Sequence, residues 1–190
     1  MLGNDRISST SFIVVQNLLQ TNHIGHVRLF DADPLALQSM SGTVIRVSIE
    51  ISNEMLRELN SSLKARPLGV GYISVGDEPF HLIDGQQFYP FVVGAASNIQ
   101  LALTEATFSK RVKLTVPCDS DVYVGGYNSS SLPLTGVFRS DLNKTMTHLL
   151  KFLQKHYSPF TIGINLFLEL EQNPNFTMKH ALFEQTSHHN

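Results

Sequence analysis

Apolar and polar positions along this chain switch between a helical and a strand period, and the switches divide it into an alternating series. In FIVVQNLLQTNHI, Val14, Val15, Leu18 and Leu19 fall on one helical stripe, and Ser8 to Ser11 offer N-cap hydroxyls before it. VRLFDAD (27–33) is a short apolar strand ending in acids, and Pro34 is placed to open a helix through Leu35 and Leu37 to Met40. IRVSIEI (45–51) alternates as a strand should, and NEMLRELNSSLK allows a short helix before Arg66 and Pro67. In GVGYISVGDEPF (69–80), Val70, Tyr72, Ile73 and Val75 predict a strand that stops on Gly76, Asp77 and Glu78. Residues 91–107 read as a helix, with Val92, Ala95, Ile99, Ala102 and Ala106 at spacings of three and four. A strand over 112–116 follows, then a Gly- and Ser-rich loop over 124–136. Asp141 is placed to cap a helix whose Leu142, Met146, Leu149, Leu150 and Leu153 share a face. Lys155 and His156 at its carboxyl end suit the helix dipole, and FTIGINLF (160–167) predicts a last strand.

This alternation argues for right-handed βαβ units and a parallel sheet. No repeat, low-complexity segment or linker divides residues 1–190, so a single domain is expected. A composition of 42% hydrophobic and 16% charged residues is that of a globular core, and a formal charge of -2 gives no argument for nucleic acid or an anionic membrane. The single cysteine, Cys118, excludes an internal disulfide and reads as a small buried hydrophobe. The amino terminus, MLGNDRISST, shows no apolar signal region, and no run approaches the roughly 18 residues of a membrane span. Sequons at Asn60, Asn128, Asn143 and Asn175 hint at a secretory ancestry.

The chemistry is sparse. A strand that stops on Asp77 and Glu78 sets two acid/base groups at the carboxyl edge of a sheet, where α/β folds keep their sites; a solvated strand end is the other reading. Asp31 and Asp33, like Asp119 and Asp121, either approach a cleft or cap local turns. His23 and His26 flank Gly25 and read as surface residues, and the adjacent His188 and His189 are unsuited to chelation. Gly125 and Gly126 have no lysine nearby and form no phosphate cradle. Arg139 and Asp141 read as a local ion pair and helix cap. No metal and no cofactor is expected.

The order of motifs VRLFDADPLAL, IRVSIEISNEML, YISVGDEPF, VKLTVP, GVFRSDL, SPFTIGINLFL and ALF resembles plant endo-1,3-β-glucanases of glycosyl hydrolase family 17, from about Ser11 to Phe183. The resemblance implies a (β/α)8 TIM barrel and a retaining mechanism with two glutamates acting on β-1,3-glucan such as callose. It also implies a secreted, cell-wall or surface-anchored setting. The family strand motif ends Val-Gly-Asn-Glu, so the general acid/base falls on Glu78. Asp77 stands where the family has the asparagine that binds the sugar's 2-hydroxyl, and an added carboxylate there raises Glu78 by like-charge repulsion. Phe167 matches a family aromatic and offers a stacking face. The sixth-strand Asn-Ile-Tyr-Pro is replaced by Gly163, Ile164, Asn165 and Leu166.

The family's nucleophile lies in a Gly-Glu-Thr-Gly-Trp-Pro segment that these residues do not contain, and they hold no tryptophan. The expectation is therefore a partial barrel of about strands two to six of eight, a parallel sheet with outer helices, truncated at both ends and inactive alone. Asp77 is excluded as a partner to Glu78 because neighbours on a strand point to opposite faces. Glu50 is the other candidate, inside its strand. The missing strands are expected to leave apolar barrel-facing side chains uncovered and to lower stability. Two other classes stay open: a degenerate carbohydrate-binding remnant, and an interaction protein that self-associates through exposed sheet edges.

Overall fold

In the computed structural model the described residues are 9–31, 33–60, 70–124, 136–172 and 176–184. Gly125 and Gly126, most of the Gly- and Ser-rich loop, residues 61–67, the sequons at Asn128 and Asn175, and His188 with His189 lie outside them.

The helix α1 (Ser9–Thr21) leads into β1 (His26–Leu29), and α2 (Pro34–Met40) into β2 (Arg46–Ile51). Asp33 caps α2, accepting from Leu35 N–H at 2.8 Å and Ala36 N–H at 3.0 Å, with Pro34 in the first turn. A 3-10 turn at Asn53–Met55 and the short α3 (Leu56–Leu59) precede β3 (Val70–Val75). The long α4 (Tyr89–Glu105) returns to β4 (Lys113–Thr115), and the chain runs on through Val116 into β5 (Pro117–Asp119).

β1, β2, β3 and β4 are parallel and adjacent in sequence order. Between β2 and β3 the register slips: Val47 faces Val70 but Ser48 faces Tyr72, so Gly71 is the extra residue of a bulge. β5 pairs in parallel with β8 (Thr161–Gly163), which follows α5 (Asn143–His156). Thr115 and Thr161 hydroxyls meet at 2.5 Å, so this two-stranded sheet adjoins the end of β4 in the four-stranded one. Every strand expected to be parallel is parallel.

The bulk of the hydrophobic core lies between the sheet and its helices. Val47, Ile49, Ile73, Val75, Leu114, Val116 and Cys118 face outward onto Val92, Ala95, Ile99 and Leu103 of α4 and Met146, Leu149 and Leu153 of α5. Each such aliphatic side chain contributes roughly 1.5–3 kcal/mol. The opposite face carries His26, Arg28, Ser48, Glu50, Tyr72, Ser74, Lys113, Thr115 and Thr161. His26 Nε2 and Ser48 Oγ lie 2.7 Å apart, and the His26 and Tyr72 rings stack at 5.9 Å.

Several expectations are corrected. The barrel-facing side chains are polar, because strand alternation puts the aliphatic residues on the helix side; uncovering this face costs little burial. On α1, Val14, Val15 and Leu18 are exposed and only Leu19 of that stripe packs on the core, since α1 lies beside α2 next to the outer strand β1. Residues 160–167 are a strand only over β8: Asn165 Oδ1 accepts from Phe167 N–H at 3.2 Å, which ends the extended run and starts α6 (Leu166–Gln172). At the two ends of the expected loop, β6 (Tyr123–Val124) pairs antiparallel with β7 (Val137–Phe138). Asp141 sits in a 3-10 turn, Ser140–Leu142, and pairs with Arg139 instead of capping α5. A last short helix, α7 (Met178–Ala181), follows α6.

Candidate active site

The site lies at the carboxyl ends of β1, β2, β3, β5 and β8. β3 ends at Val75, and Gly76 turns the chain with φ 84° while its N–H still donates to Ile51 C=O at 2.9 Å. A side chain at Gly76 would strike Asn53 Oδ1 at 2.7 Å, so this turn requires glycine. Asn53 holds the next peptide, donating to Asp77 C=O at 2.7 Å and accepting from Asp77 N–H at 3.0 Å. Glu78 follows with φ 45°, a left-handed conformation costing of order 1 kcal/mol for a residue with a Cβ.

This turn overturns the alternation argument used against Asp77. Asp77 and Glu78 stand beyond the strand, on a left-handed turn, so strand parity does not send them to opposite faces. Asp77 acts on Glu78 electrostatically, and what engages Asp77 is Arg28, whose guanidinium lies 3.5 Å from its carboxylate. The same Nη2 is paired with Glu50 on β2.

Glu78 titrates above the ordinary glutamate range. Partial burial is the main cause, followed by the carboxylates of Asp119 and Asp77; His81 and Arg28 oppose them. Its Oε1 points at the end of β8, where a methyl on Gly163 would lie 2.9 Å away. Beneath it Cys118 is fully buried, its thiol pushed up to about 12 by burial and by Glu78 and Asp121. That thiol is an inert packing group, as expected.

Asp119 caps its local turn, accepting from Asp121 N–H at 2.8 Å, and its charge also acts on Glu78. Asp121 accepts from Leu82 N–H at 2.6 Å and pairs with Arg139 at 3.2 Å. Arg139 also donates to Phe80 C=O at 2.9 Å, bonds Tyr89 Oη, and pairs with Asp141 at 2.9 Å. The loop after Glu78 is thus fastened from below. Asp31 remains exposed, accepting from Asp33 N–H at 3.1 Å.

Phe167 sits on α6, 72% exposed, on a helix instead of the expected strand. Phe30, at the end of β1, is another exposed ring, with the Arg28 guanidinium 5.4 Å from its centroid. Sequence reasoning passed over Arg28 and Asn53. Arg28 had a signal, a lone cation between Val27 and Leu29 in an apolar strand; Asn53 had none. A surface groove between α4 and α5, near Lys151 and His156, lies away from this site and is lined by no carboxylate.

Comparison with known proteins bears on this arrangement. The model of glycosyl hydrolases family 17 matches residues 1–190. Glucan endo-1,3-beta-glucosidase 9 of Arabidopsis thaliana is 42% identical over 189 residues, covering 91% of this chain and 39% of that relative. Glucan endo-1,3-beta-glucosidase 5 of the same plant is 35% identical over 90% of this chain and 38% of its own length. The chain thus spans about two fifths of these relatives. Among solved structures, CJP38, a beta-1,3-glucanase and pollen allergen of Cryptomeria japonica, superposes with a TM-score of 0.83 at 28% identity, covering 98% of this chain and 60% of that one. With the parallel sheet, the outer helices and the carboxyl-edge acids already described, these matches make the chain a member of glycosyl hydrolases family 17, carrying part of its TIM barrel.

Proposed function

We propose that this chain forms the acid/base side of a cleft for β-1,3-linked glucan, with Glu78 as general acid/base. The observation that carries the reading is the raised, half-sheltered carboxyl of Glu78 at the carboxyl edge of the parallel sheet, a state suited to protonating a leaving oxygen and then activating water. The names of the relatives supply the substrate class. Asp77 borders the sugar position as a hydrogen-bond acceptor, and Phe167 offers an exposed aromatic face.

Retaining hydrolysis further needs a carboxylate about 5–5.5 Å from the acid to attack the anomeric carbon. The neighbouring carboxylates are engaged: Glu50 and Asp77 with Arg28, Asp119 in its turn. The 190-residue polypeptide alone is therefore proposed to bind β-1,3-glucan without cleaving it. Laminarin oligosaccharides should bind in calorimetry, weakened by Asp77→Ala, and should release no reducing ends. Absence of binding defeats the cleft reading; turnover abolished by Glu78→Gln defeats the reading of inactivity.

A second reading concerns assembly. Among the described residues β1 and β8 each pair on one side, which supports self-association through strand edges. Size-exclusion chromatography over a concentration series tests it, and a constant monomer mass rules it out.

A further inference from the structure

The strand edge under Glu78 holds a buried carboxylate that the proposed chemistry does not use. Glu50 is 6% exposed on the polar face of β2, opposite Ser74 of β3 in register, while Arg28 on β1 stands opposite Ser48, two residues earlier on that face. A buried carboxylate persists only when paired, and its partner here is the Arg28 guanidinium. One nitrogen of that guanidinium lies between Glu50 on β2 and Asp77 at the end of β3. Arg28 itself is 42% exposed in its side chain and has Phe30 on its solvent side. Among the described residues, Glu50 is the buried carboxylate that pairs with this cation.

We infer that Glu50 is a positioning residue for the acid/base carboxyl: it anchors Arg28 from below, fixes the guanidinium against Asp77, and offsets a cation that acts on Glu78. This inference rests on the reading of Glu78 as acid/base only for its meaning, since the arrangement can be measured without substrate. The physical reason is charge. A free guanidinium beside Glu78 would favour the carboxylate form, and an acid that has lost its proton cannot protonate a leaving oxygen. Paired with Glu50, the cation is largely neutralised, while Asp77 and Asp119 continue to favour the protonated form. The charged groups facing Glu78 are thus Arg28 from β1, Asp77 and His81 from its own loop, and Asp119 from β5, with Glu50 acting through the first of these.

The experiment is a carboxyl-detected NMR titration of Glu78 in the full 190-residue chain. The variants are Glu50→Gln, Arg28→Gln and the double variant. Gln keeps the shape of Glu50 and removes its charge, leaving Arg28 partly solvated, so the fold is expected to survive. In Glu50→Gln the Glu78 midpoint should fall by several tenths of a pH unit. In the Arg28→Gln background the same substitution should no longer lower it. An unchanged midpoint in Glu50→Gln, or an equal fall with and without Arg28, overturns the inference. If Glu50→Gln does not fold, Glu50→Asp supplies the readout: a shorter acid keeps the charge but should loosen the anchor, broadening the Arg28 Nη signals, and unchanged signals also overturn it. Loss of laminarin binding with an intact Glu78 response would instead count against the glucan reading alone.

Discussion

Asn53 grips the Asp77 peptide from both ends, donating to its carbonyl at 2.7 Å and accepting from its N–H at 3.0 Å. A side-chain amide here does the work of another strand's backbone, holding the chain where β3 has ended. The two residues are 24 apart in sequence, and their meeting depends on the parallel pairing of β2 with β3.

Asn53→Ala should therefore cost about 1–2 kcal/mol, the loss of two partly solvated hydrogen bonds. Gly76→Ala should cost more, since its φ of 84° disfavours a Cβ and that Cβ would lie 2.9 Å from Pro79 Cγ as well as against Asn53. Urea denaturation of both variants gives the ranking. Equal midpoints for Gly76→Ala and the unaltered chain would show that the turn is not held as described.

Leu149 and Leu150 offer a second contrast. Both fall on the face read from the sequence, but Leu149 is fully buried against the sheet while Leu150 is 36% exposed. Leu149→Ala should cost about 2–5 kcal/mol and Leu150→Ala under about 1 kcal/mol, read from the same denaturation curves. Similar losses at both positions would mean that α5 is rotated on the sheet.

That contrast marks where the sequence stopped being informative. Hydrophobic period located α4, α5 and the central strands, because each buries one stripe or one face. It could not divide a stripe into its buried centre and exposed margin, as Leu149 and Leu150 or Leu19 and Leu18 required, since that depends on what each helix packs against. Phe167 was misread for a local reason: the apolar run hides the Asn165 side chain that breaks the strand. Glu78 was found through the motif that ends its strand. Its surroundings were legible only in part: Glu50 and Asp119 stood out as acids, but their meeting with Arg28 and Gly163 joins four other strands and depends on register, including the bulge at Gly71.

The raised Glu78 carboxyl also makes a statement about stability and pH. A group that holds its proton more tightly when folded stabilises the fold while both states are protonated, and that contribution is lost as pH rises through the folded midpoint. Between the ordinary glutamate value and the higher value of Glu78, the chain should therefore lose stability that Glu78→Gln does not lose. Urea midpoints measured at closely spaced pH values compare the two slopes. Parallel curves for the two proteins across that window would remove the claim that burial and the Asp119 and Asp77 charges act on Glu78.

Gly163 gives the sharpest test of the site's geometry. A methyl there would stand 2.9 Å from Glu78 Oε1 and 3.8 Å from Cys118 C=O, and the first contact is too close to persist. Oε1 is the far end of a flexible side chain, so in Gly163→Ala the carboxyl should swing away instead of the backbone moving. Gly163 has no positive φ and lies in β8, so alanine should leave stability within about 1 kcal/mol of the original, or raise it slightly. Burial is the largest cause of the raised Glu78 titration, and a carboxyl swung toward water loses part of it. The expected result is a Glu78 midpoint lowered toward the ordinary range, in a chain that melts almost as before. Because the two readouts part company, general damage to the fold cannot imitate the effect: it would lower the melting midpoint first. A Glu78 midpoint unmoved by the added methyl would mean that its carboxyl does not lie over β8.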